Sequence, residues 1–561
     1  MDLKYSLRHH FWLITILLII SGCAKIEAPG GGPEDKSLPD IIRVKPPAGS
    51  TDVPLDSDIE IVFSKNMNEA VTEKALFISP LYFNYPEYKW SGKKLRVKLP
   101  GNLKVNTTYV LTVGASAVDK RGNKLGQSVS FPFSTGHTIY TGSVYGRVMV
   151  ESSRNMNIWA YKLESAEPDT FWKTLPDYIT QPDSLGEFKF EYLSYGTYLV
   201  VAVEDNNNDQ FWAPPSEKLA LPDTLIILNE DRLEYGPLVI MTVDRDTLQP
   251  EISGVVSPDN RTVRVDFSRR MDTLSALSGD NYRIYAVGDS TMFITIDNIY
   301  PVSEQMQAVF LDCFGLIADE KFKIEAFGLK SFYNVVSDTM SRVFNSGGID
   351  TTAPELISLD PSPSSRPLPV GFEITVWFSE AMDSSGLTQN ITLTDTTEIQ
   401  VSFHAFWKYP NKLIIKPEFV DDEAYILSFD ERNILDKSFN PLGDTLKTYR
   451  YYTSSADTFG QVTGRVISAP GPEIIVIARP TRGEDMTVRC GSEGLFEFNR
   501  LFPGTYRLRA YYDVNSNGLF DGGNIRPFKF AEPIALYGDT VQVRSRWETD
   551  VGILDFKPSS N

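Results

Sequence analysis

The residues of this sequence with the clearest chemical potential are oxygen donors at alternate positions from residue 513 to residue 521. The donors are the side chains of Asp513, Asn515, Asn517 and Asp521 and the backbone carbonyl of Leu519. Carboxylate, amide and carbonyl oxygens are the ligands that Ca²⁺ prefers in proteins. Gly518 permits the sharp turn that lets alternate residues converge on one ion. The segment therefore predicts calcium as a candidate ligand.

This segment matches the EF-hand calcium loop at positions one, three, five, six and nine. At position twelve the sequence departs from the motif, because Asn524 stands where a bidentate Glu is expected. Calcium would then bind weakly, or the ligand set would close through a residue elsewhere. A second interpretation is an Asn/Asp/Gly-rich turn that is stabilised by its own side-chain hydrogen bonds. The sequence leaves both interpretations open.

A poorer copy of this loop lies 308 residues upstream. It keeps the donors Asp205, Asn207 and Asp209. Position six is Gln210 and position nine is Ala213, so two features of the calcium motif are lost. Glu217 could supply the missing ligand only if the loop folds back.

Aspartate followed by threonine or serine recurs along the sequence. The pattern resembles the O-glycosylation sequon of some Gram-negative secretory systems, which implies attached glycans. The alternative is structural, since Asp-Thr is common where a turn enters a strand, and we favour that interpretation. The residues concerned are Thr224, Thr247, Thr273, Thr339, Thr351, Thr396, Thr445 and Thr540, with Ser184 and Ser290.

Aromatic side chains are a further candidate, because they can stack on sugar rings. Trp212 adjoins the first acidic loop. A cluster near the N-terminus consists of Tyr82, Phe83, Tyr85, Tyr88 and Trp90. In all-β proteins such residues more often fill sandwich cores and strand faces, which is the interpretation we favour.

The composition excludes several function classes. A net charge of -19 repels phosphate backbones, so we expect no nucleic-acid partner. Four histidines and three cysteines in 561 residues, without a zinc, Ser-His-Asp or phosphate-loop motif, argue against an enzyme. Carboxylates are abundant, but the spacing of a glycosidase-like pair is not readable from sequence. Cys313 and Cys490 are expected to be small buried hydrophobes.

The first 23 residues match a secretory signal. An apolar run at residues 11–20 follows basic residues and is too short to span a bilayer. It ends at Ile20-Ser21-Gly22-Cys23, which resembles the bacterial lipobox, where a peptidase cuts before the cysteine and the thiol carries diacylglycerol. The resemblance implies a lipidated Cys23 on an outer-membrane lipoprotein that faces the periplasm or the cell surface. The alternative is an ordinary signal peptide in which Cys23 is a bystander.

These residues must be positioned by short strands in which apolar and polar residues alternate, with turn residues between the strands. This pattern predicts an all-β fold of tandem sandwiches. A strand that ends in Phe-Ser-x-x-Met occurs three times, at residues 63–67, 267–271 and 378–382. This repeat resembles the bacterial Ig-like domain of the surface-layer-protein type. The resemblance implies a structural role, with Phe and Met in the core and Ser turning the chain. The middle copy lacks the clear proline-containing opening of the other two.

A second repeat occurs at residues 186–205 and 494–513, with a constant offset of 308. Each copy reads Gly-x-Phe-x-Phe, then Leu, then Gly-Thr-Tyr, and follows a Gly-Arg-Val strand. The pattern resembles the transthyretin-like, carboxypeptidase-regulatory-like sandwich. It implies binding or spacing modules rather than catalytic ones.

The two repeats divide the sequence into seven parts. They are a signal peptide (1–22), a lipidated stalk (23–40), Ig-like domain 1 (41–137), transthyretin-like domain 1 (138–245), Ig-like domain 2 (246–349), Ig-like domain 3 (350–455) and transthyretin-like domain 2 (456–561). Short linkers between sandwiches favour an extended, semi-rigid rod. In such a rod the loop at 513–521 would lie far from the membrane.

Together these features predict a non-enzymatic, lipid-anchored cell-envelope protein that acts in adhesion, scaffolding or envelope assembly. The alternative is a glycan-binding or glycan-processing accessory lipoprotein that uses the loops of the transthyretin-like domains. The expected partners are the membrane, through the lipid, and a protein or glycan of the envelope. Apart from calcium, no cofactor is expected.

Overall fold

The computed structural model describes residues 35–80, 86–149, 156–163, 168–214, 216–243, 248–363, 367–385, 387–467, 472–491, 493–525 and 527–555. These residues are mostly strands, which confirms the all-β fold class. Five apolar cores follow one another along the described chain, and we call the surrounding parts modules I to V. The predicted signal peptide and Cys23 lie outside the described residues.

Module I is a sandwich of two antiparallel sheets, ordered β1-β2-β5-β4 and β3-β6-β7. Its elements are β1 (Ile41–Lys45), β2 (Ile59–Phe63), a short helix α1 (Glu69–Lys74), β3 (Leu76–Ser79), β4 (Glu87–Ser91), β5 (Lys94–Lys98), β6 (Thr108–Val113) and β7 (Val129–Ser134). Strand β2 buries Ile59, Ile61 and Phe63 at alternate positions, as a half-buried strand requires.

Module IV repeats this topology with sheets β23-β24-β27-β26 and β25-β28-β29. Its strands are β23 (Leu356–Asp360), β24 (Ile374–Phe378), β25 (Ile391–Asp395), β26 (Phe403–Tyr409), β27 (Lys412–Pro417), β28 (Ala424–Asp430) and β29 (Leu446–Tyr452).

Module III has the same order of strand pairing, but its two sheets merge into one, ordered β16-β17-β20-β19-β18-β21-β22. The merger arises because the 13-residue strand β19 pairs with β18 at one end and with β20 at the other. Its elements are β16 (Ile252–Val256), β17 (Thr262–Phe267), a helical turn α2 (Thr273–Ala276), β18 (Tyr282–Ala286), β19 (Asp289–Pro301), β20 (Ala308–Phe314), β21 (Lys321–Ala326) and β22 (Met340–Asn345).

The Phe-Ser-x-x-Met repeat has one structural role in modules I, III and IV. Its Phe and Met side chains are at most 5% exposed in every copy, as the sequence predicted. The serine does more than turn the chain, because its hydroxyl accepts a backbone N–H near the start of the module's first strand. The three bonds run from Asp40 N to Ser64 Oγ, from Glu251 N to Ser268 Oγ and from Glu355 N to Ser379 Oγ, at 2.8, 2.9 and 2.8 Å.

Modules II and V form the second pair. Each contains a three-stranded sheet with one parallel pair, ordered β11-β8-β15 and β33-β30-β38. The facing sheets are β10-β9-β12-β13, with β14 also on β12, and β32-β31-β34-β37. Where module II has the two short strands β13 and β14, module V has the one long strand β37.

The strands of module II are β8 (Gly142–Met149), β9 (Met156–Leu163), β10 (Tyr178–Thr180), β11 (Glu187–Leu193), β12 (Gly196–Glu204), β13 (Leu219–Ala220), β14 (Ile226–Leu228) and β15 (Glu234–Met241). Those of module V are β30 (Gly460–Ile467), β31 (Glu473–Pro480), β32 (Met486–Arg489), β33 (Leu495–Leu501), β34 (Gly504–Asp513), β35 (Asn524–Ile525), β36 (Phe528–Lys529), β37 (Ile534–Val543) and β38 (Glu548–Asp555).

Module V folds back onto module II, so the expectation of an extended rod is wrong for this part of the chain. The contact is an apolar cluster of Ile475, Ile477, Tyr511, Phe520 and Ile534 from module V with Met149, Val239 and Met241 from module II. In addition, the backbone N–H of Ala531 donates to the carbonyl of Pro222 at 3.0 Å. The physical reason is that both faces of β31 carry apolar side chains, and the second face must be covered.

Modules II to V follow one another along the chain, and contacts between III and IV, IV and V, and V and II close them into a ring. Tyr300 and Phe310 of module III pack against Ala381 of module IV. Arg500 of module V lies 2.7 Å from Asp421 of module IV. Module I stands outside the ring and contacts module II, where its Phe77 joins the outer apolar face of that module.

Both cysteines of the described chain are free. Cys313 is buried in the core of module III, and Cys490 packs against the core of module V, as expected from sequence. Burial raises the pKa of Cys490 to about 11, so its thiol stays protonated at neutral pH. Within the described chain, no helix is long and apolar enough to cross a membrane.

Candidate functional site

The better acidic loop begins where β34 ends, at Asp513, whose side chain is fully buried. Its Oδ1 accepts the N–H of Asn517 at 2.9 Å, and its Oδ2 accepts the N–H of Gly518 at 2.8 Å. Gly518 has a φ of 76°, which is the left-handed turn that the sequence predicted at this position. Asn517 Oδ1 in turn accepts the N–H of Leu519 at 2.7 Å. The alternating donors therefore curl around the carboxylate of Asp513.

This loop is closed by Glu532, a residue that the sequence analysis missed. Glu532 is 6% exposed, and its two carboxylate oxygens accept the N–H groups of Val514 and Asp521 at 2.8 and 2.7 Å. Burial, together with the charges of Asp521 and Asp513, raises the pKa of Glu532. Asn524 instead accepts the N–H of its neighbour Ile525. Glu532, which follows the β35–β36 hairpin, is thus the counterpart of the acidic ligand that the motif lacks at position twelve.

The module II loop has the same construction. Asp205 is 2% exposed, and the carboxylate of Glu217 folds back to accept the N–H groups of Asn206 and Ala213 at 3.0 and 2.8 Å. Gln210 does not prevent the turn, since it adopts a φ of 64° in place of a glycine. The loop closure on which calcium binding depended in the sequence analysis is therefore present.

The carboxylates of Asp205 and Glu217 in module II repel each other. Asp205 Oδ1 is buried and has no hydrogen-bond partner within the described residues. Burial and the nearby charge of Glu217 raise the pKa of Asp205 to about 6. A buried carboxylate beside a second one is unfavourable unless a cation or a proton compensates it. The arrangement is one that a divalent cation would stabilise.

Both loops reach one cleft of 2120 Å³ between modules II, III and V. The module V loop lines it with Asn515, Asn517 and Asp521, and the module II loop reaches it through Trp212 and Pro214. Two loops separated by 308 residues therefore border the same space, which the sequence did not predict.

The lining of this cleft is positively charged. Seven arginine and lysine side chains line it against three aspartates, although the chain carries a net charge of -19. Arg147 is paired with Glu187 at 2.5 Å, and both Arg479 and Arg509 are paired with Asp485. The other four, which make no ion pair within the described chain, are Arg270, Lys330, Arg507 and Lys529.

A third group of carboxylates lies where modules III and IV meet. Oxygens of Asp350, Glu380 and Asp436 lie within 4.8 Å of one another. Burial, followed by the charges of Asp350 and Asp436, raises the pKa of Glu380 to about 8. The sequence analysis missed this acidic triad because its members are 30 and 56 residues apart. The sequence feature that could have revealed the triad is Glu380, the acidic residue within Phe-Ser-Glu-Ala-Met, because module I has Lys65 at the same position of this repeat.

Several Asp-Thr pairs lie at turns or caps. Asp272 caps helix α2 by accepting the N–H of Ser275 at 2.8 Å, which accounts for the Asp beside Thr273. Thr224, Thr339 and Thr445 lie shortly before β14, β22 and β29. Exposed Thr540 lies within β37, and Thr247 lies outside the described residues. The positions of Thr224, Thr273, Thr339 and Thr445 agree with the structural interpretation, that of Thr540 does not, and glycosylation stays a hypothesis.

The candidate aromatic residues are packed. Trp212 is 8% exposed, and its Nε1 donates to the carbonyl of Glu217 at 2.9 Å. Tyr88 and Trp90 pack against the core of module I. Tyr82, Phe83 and Tyr85 lie outside the described residues. The packing interpretation therefore holds for the described members.

Comparison with protein families finds the bacterial Ig-like domain at residues 35–135 and 350–453. These ranges coincide with modules I and IV, whereas the middle copy in module III is not matched. A comparison with curated proteins gives no match.

Among solved structures, the N-terminal part of the bacterial S-layer protein SbsC shares 13% identity over 37% of this chain and 45% of its own, with a TM-score of 0.18. This chain thus spans less than half of that structure. The S-layer protein rSbsC(31-844) shares 10% identity over 91% of this chain and 67% of its own, with a TM-score of 0.16. An L,D-transpeptidase from Mycobacterium smegmatis shares 14% identity over 29% and 76%, with a TM-score of 0.15. No functional conclusion follows from similarities this low, and the sequence match alone establishes that the chain contains bacterial Ig-like domains, which indicate an extracellular or cell-envelope protein.

Proposed function

We propose that this chain is a lipid-anchored, non-enzymatic scaffold of the bacterial cell envelope, held at the membrane through Cys23. The observation that carries the scaffold proposal is the return of module V onto module II. Module V buries Ile475, Ile477 and Ile534 near this contact, and burial of one such side chain contributes about 1.5–3 kcal/mol. A ring of sandwiches holds its surfaces in fixed relation, which a scaffold needs and which loosely linked domains do not provide.

We propose further that the two acidic loops bind Ca²⁺ and strengthen the contact between modules II and V. Asp205 and Asp513 would be the central ligands, joined by Asn207 and Asp209 in module II and by Asn515, Asn517, Leu519 and Asp521 in module V. The Oδ1 of Asp205, which is buried and has no hydrogen-bond partner among the described residues, supports a cation in the first loop. In the second, ordered hydrogen bonds already shape the loop, so little reorganisation is needed on binding.

The anchor is tested by mass spectrometry of the mature protein from its native host. We expect an N-terminal Cys23 with attached acyl chains, and a Cys23→Ser variant that leaves the membrane fraction. A mature chain that starts elsewhere without lipid would contradict the anchor and leave the fold unaffected.

The calcium sites are tested by titrating the chain from residue 24 onward with CaCl₂ and measuring heat and melting temperature. A ligand at one hundred times its Kd stabilises the folded state by about 2.7 kcal/mol. We expect Asp513→Asn with Glu532→Gln to remove one binding event, and Asp205→Asn with Glu217→Gln to remove the other.

The matched control is Asp444→Asn with Glu418→Gln, which changes two exposed carboxylates of module IV. It should retain both binding events. No heat and no thermal shift with millimolar calcium would refute the calcium proposal, whereas equal losses in the control would show a nonspecific charge effect.

The alternative function, a glycan-binding accessory lipoprotein, is favoured by one observation. The cleft that both acidic loops border is lined with positive charge in a strongly acidic chain.

A further inference from the structure

We propose that the cleft between modules II, III and V binds an acidic polysaccharide. The inference deepens the glycan-binding alternative and depends on neither the lipid anchor nor calcium. Its basis is the excess of basic over acidic side chains in the cleft lining, seven against three, in a chain with a net charge of -19. An excess of one sign of charge in a cleft concentrates oppositely charged ligands.

The four cations that make no ion pair within the described residues come from two of the modules that line the cleft. Arg270 and Lys330 belong to module III, and Arg507 and Lys529 belong to module V. All four side chains are exposed. Since they are spread over two modules, they can contact several charges of one extended ligand rather than one compact anion.

One of these cations is already held in position. The guanidinium of Arg270 lies 3.8 Å from the ring centroid of Phe332. Stacking on a ring fixes the plane of a guanidinium and leaves its N–H groups free to donate at the edge. Two parallel N–H donors match the two oxygens of a carboxylate. Arg270 is therefore suited to a uronic acid carboxylate.

The cleft also offers size and aromatic surface. Its 2120 Å³ exceed the roughly 300–1,000 Å³ of sites for single small molecules. The half-buried side chains of Trp172, Tyr333 and Phe520 line it, and aromatic faces pack well on the apolar faces of sugar rings. A polymer segment of several sugars is the ligand that uses both properties.

Charge density distinguishes an acidic glycan from a nucleic acid. Duplex DNA carries about one charge per 1.7 Å, and the acidic surface outside the cleft would repel the rest of so dense a polymer. A polyuronate has a single carboxylate on each uronic acid residue and therefore a lower charge density, so repulsion outside the cleft is smaller. The observations therefore favour the polysaccharide.

The test is calorimetric titration of the chain from residue 24 onward with polygalacturonate oligomers at low salt in EDTA. EDTA removes calcium, so the result does not depend on the acidic loops. We expect saturable binding that weakens as salt rises, and no binding of neutral dextran.

The variant Arg270→Gln, Lys330→Gln, Arg507→Gln, Lys529→Gln should weaken binding at least tenfold. A control, Lys447→Gln with Arg450→Gln, changes two exposed cations of module IV outside the cleft and should weaken binding less than twofold. The circular dichroism and melting temperature of both variants establish that they fold. If the fourfold variant does not fold, the pairs Arg270→Gln with Lys330→Gln and Arg507→Gln with Lys529→Gln replace it, each expected to weaken binding at least threefold.

Three results would overturn the proposal. They are no binding of polygalacturonate, equal losses in the cleft and control variants, and equally tight binding of polyglutamate or single-stranded DNA. The last would show a general polyanion site rather than one for acidic polysaccharide.

Discussion

Modules I and IV share one fold and place three charged residues at matching positions. Two of the three are aspartates in both modules, but the third is Lys65 in module I and Glu380 in module IV. In module I, Lys65 Nζ lies 3.0 Å from Asp35 and 3.2 Å from Asp119. In module IV the matching position holds Glu380, close to Asp350 and Asp436. The match is structural, because Met67 bridges to Asp119 as Met382 bridges to Asp436.

The two triads differ in how the negative charge of their buried carboxylates is compensated. Although burial opposes it, hydrogen bonds from Asn123, Arg121 and Lys65 lower the pKa of Asp119 to about 2. Module IV has no lysine at the position of Glu380, and burial with the charges of Asp350 and Asp436 raises the pKa of Glu380 to about 8. In module I the ion pairs of Lys65 compensate the two aspartates, whereas in module IV the raised pKa of Glu380 favours its neutral form.

The largest effect is expected when module I is given the charge pattern of module IV. Lys65→Glu would place two other carboxylates beside that of Asp119, whose side chain is 3% exposed. Removing one partner of a buried pair is strongly destabilising. We expect the hydrogen-exchange protection of β1 and β2 to fall on the order of fifty-fold, with module IV unchanged. Unchanged protection in module I would show that Lys65 does not compensate the triad.

The converse change should stabilise module IV. Glu380→Lys would provide Asp350 and Asp436 with the cation that module I has, and we expect protection of β23 and β24 to rise roughly tenfold. The control Glu418→Lys makes the same substitution at an exposed position of module IV. A similar gain in that control would mean that net charge, rather than the triad, sets the effect.

How much of this could be predicted from sequence depends on the distance between the cooperating residues. The Phe-Ser-x-x-Met strands and the loop at 513–521 are local patterns, so their core positions and turns were predictable. Glu532 was missed, and Glu217 could be named only on the condition that its loop folds back, because loop closure is a tertiary event that spacing does not encode. The burial of strand β12 on both faces was predictable, because an uninterrupted apolar run indicates a strand that is covered on both sides.

The two modules should also differ in their response to pH. The pKa of Glu380 is raised to about 8 from its ordinary 4.5, so the folded state binds more protons than the unfolded state between these values. Stability of module IV is therefore full below about pH 4.5 for this group and falls as pH rises to 8. We expect protection of β24, corrected for intrinsic exchange, to fall progressively from pH 5 to 8. Glu380→Gln should remove that slope.

Module I provides the opposite case within the same experiment. The pKa of Asp119 lies at about 2, below its ordinary 3.8, so its contribution is present above pH 3.8 and is lost as pH falls toward 2. Protection of β2 should therefore stay constant between pH 5 and 8. A parallel decline in both modules would indicate a general effect of the acidic chain rather than of the Glu380 triad.

The smallest effects are expected where the modules do not differ. Ser64 and Ser379 each accept one backbone N–H at 2.8 Å, in the same place and next to the residue that differs in charge. Ser64→Ala and Ser379→Ala should each cost about 0.5–1.5 kcal/mol by local hydrogen exchange, as for one lost hydrogen bond. Equal losses would assign the contrast between the modules to Lys65 and Glu380 alone. A clearly larger loss in module IV would mean that the serine bond and the protonated triad stabilise each other, so that the two cannot be treated as independent contributions.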